Sequence, residues 1–156
     1  MSLDRKSIAL AVGLLVLVGG GAYLFASSAG ASGPELPTVT VYKSSSCGCC
    51  SAWVEHMEDA GFEVDVVDDP DLRAVKAEHR VPSSLHACHT ATVGGYTVEG
   101  HVPAADVRRL LDERPPVAGI GVGGMPKGSP GMPGVPEPYH VMAFTADGET
   151  AVWARH

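Results

Sequence analysis

The chain has 156 residues, a formal net charge of −7 at pH 7, and hydrophobic side chains at 45% of its positions. This length suits one domain with extensions, and the hydrophobic fraction is sufficient for a core. An acidic chain without a cluster of Lys or Arg is not expected to bind nucleic acid. Only 19% of the residues are charged, and the 19 glycines and 12 prolines predict long loops.

The first hydrophobic segment predicts a membrane anchor. Residues 8–26, IALAVGLLVLVGGGAYLFA, carry no charge, and a run of this length can just cross a hydrocarbon core of roughly 30 Å. Arg5 and Lys6 precede the run, and Glu35 is the first charged residue after it. The positive-inside rule therefore predicts a cytoplasmic N-terminus and a remainder outside the cytoplasm.

The chain is accordingly divided into an anchor or signal segment at residues 1–26, a flexible linker at 27–37 and a globular domain at 38–156. The alternative to an anchor is a signal peptide cut after Ala31, because Ala29-Gly30-Ala31 fits the small-x-small pattern of cleavage sites. The domain would then be secreted to the periplasm. An anchor is favoured because the apolar run is longer than a usual signal core.

Alternation and helical spacing predict the elements of the globular domain. In chain order they are a strand at residues 38–43, a turn at 44–49, a helix at 50–60, a strand at 62–67, a helix at about 69–79, a loop at 82–89, strands at 90–93 and 96–99 around Gly94-Gly95, and a helix at 103–114. Strand–helix–strand order predicts a parallel pair, and the Gly-Gly hairpin adds antiparallel strands. The expected fold class is α/β, a mixed sheet flanked by helices.

The C-terminal part has a different composition. Residues 115–138 are rich in Gly and Pro, which predicts a loop without regular structure. Residues 139–145 and 150–155 then form a predicted β-hairpin around Asp147-Gly148.

Four cysteines are the chemical centre of the sequence: Cys47, Cys49, Cys50 and Cys88. The first three lie between a predicted strand and a predicted helix, where free N–H groups and the helix dipole stabilise a thiolate. The thiolate is the form that attacks disulfides and the form that binds metals. This placement therefore favours either chemistry.

The segment TVTVYKSSSCGCC at residues 38–50 resembles the opening of a glutaredoxin or thioredoxin, and ATVGG at 91–95 with Gly100 resembles the glutaredoxin stretch after its cis-proline. The resemblance implies a thioredoxin-like fold, in which the cis-proline loop lies against the C-x-x-C pair. Counting back from Gly94-Gly95 puts His89 at the proline position and Cys88 just before it. Cys88 and His89 are thus expected to face the other cysteines.

The motifs SCGCC, ACHTATVGGYTVEGHVPAADVRRLL and GMPKGSPGM also resemble a narrower family. This is the CopG-like group of extracytoplasmic metal-binding proteins from bacterial copper-resistance clusters. The resemblance covers most of the chain after the anchor and implies copper binding or handling, with copper-exporting or copper-oxidising proteins as expected partners. It does not imply an enzymatic activity.

Soft sulfur donors favour Cu(I). Because crowded thiolates can bridge metal ions, a multinuclear copper cluster is expected rather than a single ion. Met125 and Met132, in the Gly/Pro loop, are thioether donors that suit Cu(I) better than zinc, although they can also simply fill gaps under the loop. A tetrahedral zinc site and an iron–sulfur cluster are the less favoured alternatives.

Two histidines are predicted to join the cysteines as ligands. His89 is adjacent to Cys88, and His101 follows the hairpin, where it can instead cap the next helix. The remaining histidines, His56, His79, His86, His140 and His156, have no argument beyond their residue type, so a surface or core position is expected.

A thiol-disulfide oxidoreductase is the second functional interpretation. Cys47 would attack a substrate disulfide and Cys50 would resolve the mixed disulfide. The absence of the cis-proline at position 89 and the additional Cys49 favour metal binding instead.

Overall fold

The structure, a computed structural model, describes residues 35–68 and 71–156. The predicted anchor and most of the predicted linker lie outside the described residues, so membrane attachment, signal cleavage and an extracytoplasmic location stay predictions. Among the described residues, none of the helices has the length and apolar character that a membrane span requires.

One mixed sheet organises the described part of the chain. Its strands are β1 Val39–Lys43, β2 Val64–Asp68, β3 Thr90–Val93, β4 Tyr96–Glu99, β5 Gly119–Gly121, β6 His140–Phe144 and β7 Thr150–Arg155. Their spatial order is β2-β1-β3-β4-β5-β6-β7. The pairs β1/β2 and β4/β5 are parallel and the other neighbours are antiparallel. The predicted mixed α/β class is confirmed, while the thioredoxin-like classification stays a prediction.

The three helices described are α1 Gly48–Asp59, α2 Leu72–Glu78 and α3 Ala104–Glu113. α1 begins at Gly48, before the predicted residue 50, because the amide of Cys47 donates to Ser44 O at 3.0 Å and closes the preceding turn early. Gly61 follows α1 with a φ of +86°, as expected for a glycine that ends a helix. The side chain of Asp71 caps α2 by accepting from the amides of Arg73 and Ala74.

The β3–β4 hairpin forms as predicted. Gly94 and Gly95 have φ values of +56° and +89°, the positive values that a two-residue hairpin turn requires. The register pairs Thr90 with Glu99 and Ala91 with Val98. This register decides where the residues before β3 and after β4 meet.

The prediction of irregular structure throughout residues 115–138 is wrong at β5. Ile120 is buried in the core, and it is flanked by Gly119 and Gly121. A Cβ on Gly119 would collide with Thr97 O of the neighbouring strand. Glycine is therefore used here for close strand packing, whereas composition alone suggests a loop.

α1 and α3 cover one face of the sheet. The core between them contains Val39, Val41, Trp53, Met57, Ala91, Val98, Val107, Leu110, Ile120 and Val141. Because side chains alternate along a strand, Thr90 and Glu99 lie on the opposite face from Ala91 and Val98. Both polar residues are nevertheless buried.

Candidate metal site

The first part of the site is the N-terminus of α1. Cys47 occupies the position before the helix, and Cys49 and Cys50 lie in its first turn. Cys47 and Cys50 form a disulfide with a Cα–Cα distance of 5.3 Å. The Sγ of Cys49, a free thiol, lies 3.6 Å from Cys47 Sγ.

Cys88 lies against these residues, as the spacing from the hairpin predicts. Its Sγ is 4.0 Å from Cys49 Sγ, and its carbonyl oxygen is 3.8 Å from Cys50 Sγ. The four sulfur atoms all lie within 4.8 Å of one another. The expected meeting of the SCGCC and ACH segments is confirmed, while their role as metal ligands stays a prediction.

Both predicted histidines also reach Cys88. His101 Nε2 lies 3.0 Å and His89 Nδ1 lies 3.4 Å from Cys88 Sγ. One ligand atom from each of these three residues falls within 4.8 Å of the others. Cys88 therefore belongs to two donor groups, one made of four sulfurs and one made of a sulfur and two imidazole nitrogens.

The rings of the two histidines are oriented by their surroundings. His101 Nδ1 donates to Pro130 O at 2.8 Å, which leaves the lone pair on Nε2 directed at Cys88. His89 packs against the Trp53 ring at a centroid distance of 4.6 Å and meets His101 edge-on at 5.0 Å. Its Nε2 is buried and has no hydrogen-bond partner among the described residues.

Burial controls the protonation of the site. Burial, together with the nearby His101, lowers the pKa of His89 to about 3, and burial also lowers the pKa of His101. Both rings are then neutral near pH 7, which is the form that binds metal. Burial and the adjacent Cys49 raise the pKa of the Cys88 thiol to about 12. A metal ion that binds Cys88 must therefore displace a proton.

The two methionines have different positions. Met132 lies at the rim of a cleft of about 570 Å³, together with Gly48, Cys49, Gly131 and Pro133. Met125 is 54% exposed and is not among the residues that line this cleft. The structure thus places Met132, and not Met125, in a cleft that one of the thiols, Cys49, also lines.

Sequence reasoning missed a buried polar group behind the site. Lys76, Thr90 and Glu99 form a hydrogen-bonded set on the face of the sheet opposite the core. A signal existed, since Thr90 and Glu99 pair across the predicted hairpin and alternate with apolar residues. Nothing in the sequence indicates Lys76 as their partner, because that contact depends on how α2 packs.

Comparisons with known proteins bear on the family of this chain. The sequence model of a protein family of unknown function, DUF411, matches residues 85–132, which include Cys88, His89, His101 and Met132. No curated protein sequence matches the chain.

Two solved structures, both described as "Copper resistance protein copG", in a form 2 and a form 1, are similar to this chain. Each is 41% identical, with a TM-score of 0.74 over 78% of this chain and 99% or 98% of the solved chain. With that identity over nearly the whole of both solved chains, this protein belongs to the CopG-like family of copper resistance proteins.

Proposed function

We propose that this protein binds Cu(I) outside the cytoplasm and serves copper resistance by sequestering the metal or passing it on. The ligands are the thiolates of Cys47, Cys49, Cys50 and Cys88, together with His89 and His101. The observation that carries the proposal is the position of Cys88 Sγ, which lies within reach of both the cysteine group and the histidine pair.

The donor set fits copper. Thiolate sulfur is the donor that selects Cu(I), and neutral imidazole also binds copper. Metal–sulfur bonds are roughly 2.3 Å long, so sulfur atoms 3.6 and 4.0 Å apart can share one metal ion or bridge two. A donor shared between two groups favours a multinuclear arrangement. Zinc would also accept four thiolates, and the thioether of Met132 at the rim favours copper over it.

Binding through all four thiolates requires a reduced site. The Cys47–Cys50 disulfide must first take up two electrons and two protons to give two thiols. Two equivalents of a cellular thiol reductant supply these electrons and protons and are themselves oxidised to a disulfide.

The test is Cu(I) titration of reduced protein under anaerobic conditions against a chromogenic chelator. We expect wild type to bind more than one copper ion per chain, and Cys88→Ser to lose most of this copper because it removes the shared donor. Cys49→Ser should lose part of it. Ser46→Ala, which changes an exposed neighbour and no donor, is the matched control. Equal and negligible copper in wild type and all variants would refute the proposal. Preferential retention of zinc over copper would refute the assignment of copper and identify the site as a zinc site.

The N-terminal segment is proposed to anchor the domain on the periplasmic side of the membrane. Its charge asymmetry supports this orientation, and the copper partners would then be exporting or oxidising proteins in the same compartment. Fusion of a reporter that is active only outside the cytoplasm to the C-terminus tests the orientation. Extraction of the mature protein by alkaline carbonate would indicate secretion rather than anchoring.

The disulfide supports thiol-disulfide exchange in a thioredoxin-like fold as a second candidate function. Cys47 and Cys50 have the C-x-x-C spacing at a helix N-terminus, and they form a disulfide in the structure. An insulin-reduction assay with a thiol reductant separates the two functions. Turnover that requires Cys47 and Cys50 but not Cys88 would support exchange, whereas no turnover above the reductant alone would exclude it.

A further inference from the structure

A fully buried ion pair lies directly behind the metal site. Lys76 of α2 donates from Nζ to Oε1 of Glu99, the last residue of β4, at 2.6 Å. The two side chains are only 5% and 0% exposed. Buried pairs of this kind are often no more stabilising than apolar residues of the same size, so fold stability alone does not explain why these charges are placed here.

The other contacts of Glu99 show what the pair connects. Its Oε1 also accepts the backbone N–H of Ala87 at 2.7 Å, and its Oε2 accepts the hydroxyl of Thr90 at 2.7 Å. The same hydroxyl accepts from Lys76 Nζ at 3.0 Å. The carboxylate is thus satisfied by the ammonium of Lys76 on α2 and by an amide and a hydroxyl from the two ends of residues 87–90.

These partners immediately flank the candidate ligands. Ala87 precedes Cys88, Thr90 follows His89, and Glu99 itself lies two positions before His101. Hydrogen bonds to one carboxylate therefore fix both ends of the segment that carries Cys88 and His89, relative to the strand that leads to His101.

A second observation concerns Gly100, between Glu99 and His101. Its amide donates to His89 O at 3.1 Å. A Cβ added to Gly100 would lie 2.6 Å from Ala87 Cβ and 2.7 Å from Val122 O. The two ligand-bearing segments approach so closely that only glycine fits between them.

We propose that Glu99 is a positioning residue of the copper site, acting with Lys76 and Thr90. It fixes the backbone on both sides of Cys88 and His89, and so sets the distance of 3.0 Å between Cys88 Sγ and His101 Nε2. This inference rests on the proposed function, which supplies the ligand, Cu(I). Its geometry comes from the contacts in the metal-free protein.

The main test replaces both charges at once. Lys76→Met with Glu99→Met leaves no unpaired buried charge, so the protein is expected to fold, but it removes the acceptor for the Ala87 amide. We expect its Cu(I) affinity to fall by about 10- to 100-fold, the usual effect of losing a group that orients ligands. Lys76→Met with Glu99→Gln also leaves no unpaired buried charge but keeps an amide oxygen as acceptor for Ala87, so it is expected to retain most of the affinity.

The matched control removes a different pair of side chains that are in contact. Asp106→Ala with His156→Ala removes a contact of 2.7 Å that involves no candidate ligand. This control should lower the free energy of unfolding without changing copper affinity. If it lowers the affinity as much as the Lys76→Met/Glu99→Met variant does, general destabilisation explains the effect and the positioning role is refuted.

A second pair of variants leaves Lys76 and Glu99 unchanged. Gly100→Ala and Gly95→Ala both place alanine at a positive φ, +69° and +89°, but only Gly100 has atoms closer than 4 Å to the new Cβ. Copper affinity should fall in Gly100→Ala alone. Equal affinities in the two variants would contradict the close approach as a determinant of the site.

Chemical shifts measured on metal-free protein test this inference independently of the proposed function. The Ala87 amide proton and the His101 ring protons should change chemical shift in the Lys76→Met/Glu99→Met variant and change little in the Lys76→Met/Glu99→Gln variant. If wild type binds no Cu(I), the proposed function fails, and these shifts still decide the positioning. Unchanged shifts, or wild-type copper affinity, in the Lys76→Met/Glu99→Met variant would overturn it.

Discussion

His56 shows how one side chain joins the cysteine helix α1 to α3. Its Nε2 accepts the backbone N–H of Ala104 at 3.0 Å, the first residue of α3. Pro103, the residue before α3, provides no side-chain cap. His56 therefore accepts from a backbone amide that has no partner within the helix. Burial lowers the pKa of His56, and Asp59 on the same helix opposes this shift.

The neutral ring is the one that can accept this hydrogen bond, which predicts a pH dependence of stability. With the folded pKa depressed, the unfolded state takes up the proton first, so the His56 contribution is complete above the unfolded pKa near 6.5 and is lost as pH falls below it. The loss should approach roughly 1 kcal/mol, the usual value of a helix cap. Urea denaturation of metal-free wild type and His56→Gln between pH 7.5 and 5 measures it. Parallel stability curves for the two proteins would contradict the prediction.

The residue-level contacts of Cys88 could be predicted in part. Its position next to the other cysteines was implied by the resemblance to glutaredoxin, in which the residues counted back from Gly94-Gly95 form the loop that lies against the C-x-x-C pair. The orientation of His101 could not be predicted, since it depends on the carbonyl of Pro130 in a loop without periodic structure. The Cys47–Cys50 disulfide joins the two cysteines that the oxidoreductase interpretation assigned to one exchange reaction.

At the level of elements, the Gly/Pro loop at residues 123–138 packs closely against α1. Gly131, with a φ of +81°, lies so near the helix that an added Cβ would be 2.7 Å from Cys49 O and 2.8 Å from Trp53 N. The preceding residue, Pro130, accepts the hydrogen bond from His101. The loop therefore packs on the cysteine helix and orients a histidine at the same time.

Gly131→Ala is expected to separate the loop from α1. The new Cβ meets backbone atoms that cannot move aside, so the variant should be destabilised by roughly 1–3 kcal/mol beyond the cost of the positive φ. The copper affinity should also fall, because the Pro130–His101 contact is disturbed. Gly124→Ala is the matched control, since it has a φ of +73° and no atom within 4 Å of the added Cβ. Thermal unfolding and Cu(I) titration that do not distinguish the two variants would disprove this role of the loop.

The elements were predictable where a pattern repeats over several residues. α1 and α3 have apolar residues at helical spacing, and β1 alternates buried and half-buried positions. β5 is too short to show a period, and its glycines resemble those of the loop that follows. Its position is decided by the space beside β4, which is a tertiary effect.

For the whole molecule, copper is expected to act as a cross-link. The candidate ligands come from the start of α1, the segment before β3 and the segment after β4, and only the folded chain brings them together. A ligand that binds the native state alone stabilises it by about 2.7 kcal/mol when its free concentration is 100 times its Kd.

Reduced wild type should therefore unfold at a higher temperature with buffered Cu(I) than without it. Cys88→Ser should lose most of this increase, because it removes the donor shared by the two groups. Calorimetry in an anaerobic cell measures both, and addition of excess chelator should return the wild-type melting temperature to its metal-free value. An equal increase in Cys88→Ser would show that copper binds elsewhere in the chain.

The order of strands has a consequence for metal release. The ligand-bearing segments adjoin β1, β3 and β4, which are neighbours in the interior of the sheet, while the edges are β2 and β7. Fraying begins at edges, where local opening costs little free energy. Peeling of β7, or of β2, leaves the three inner strands paired and the ligands in place. Release of copper through fraying would then demand opening of the central strands, so transfer to a partner should depend on ligand exchange at the cleft that Cys49 lines.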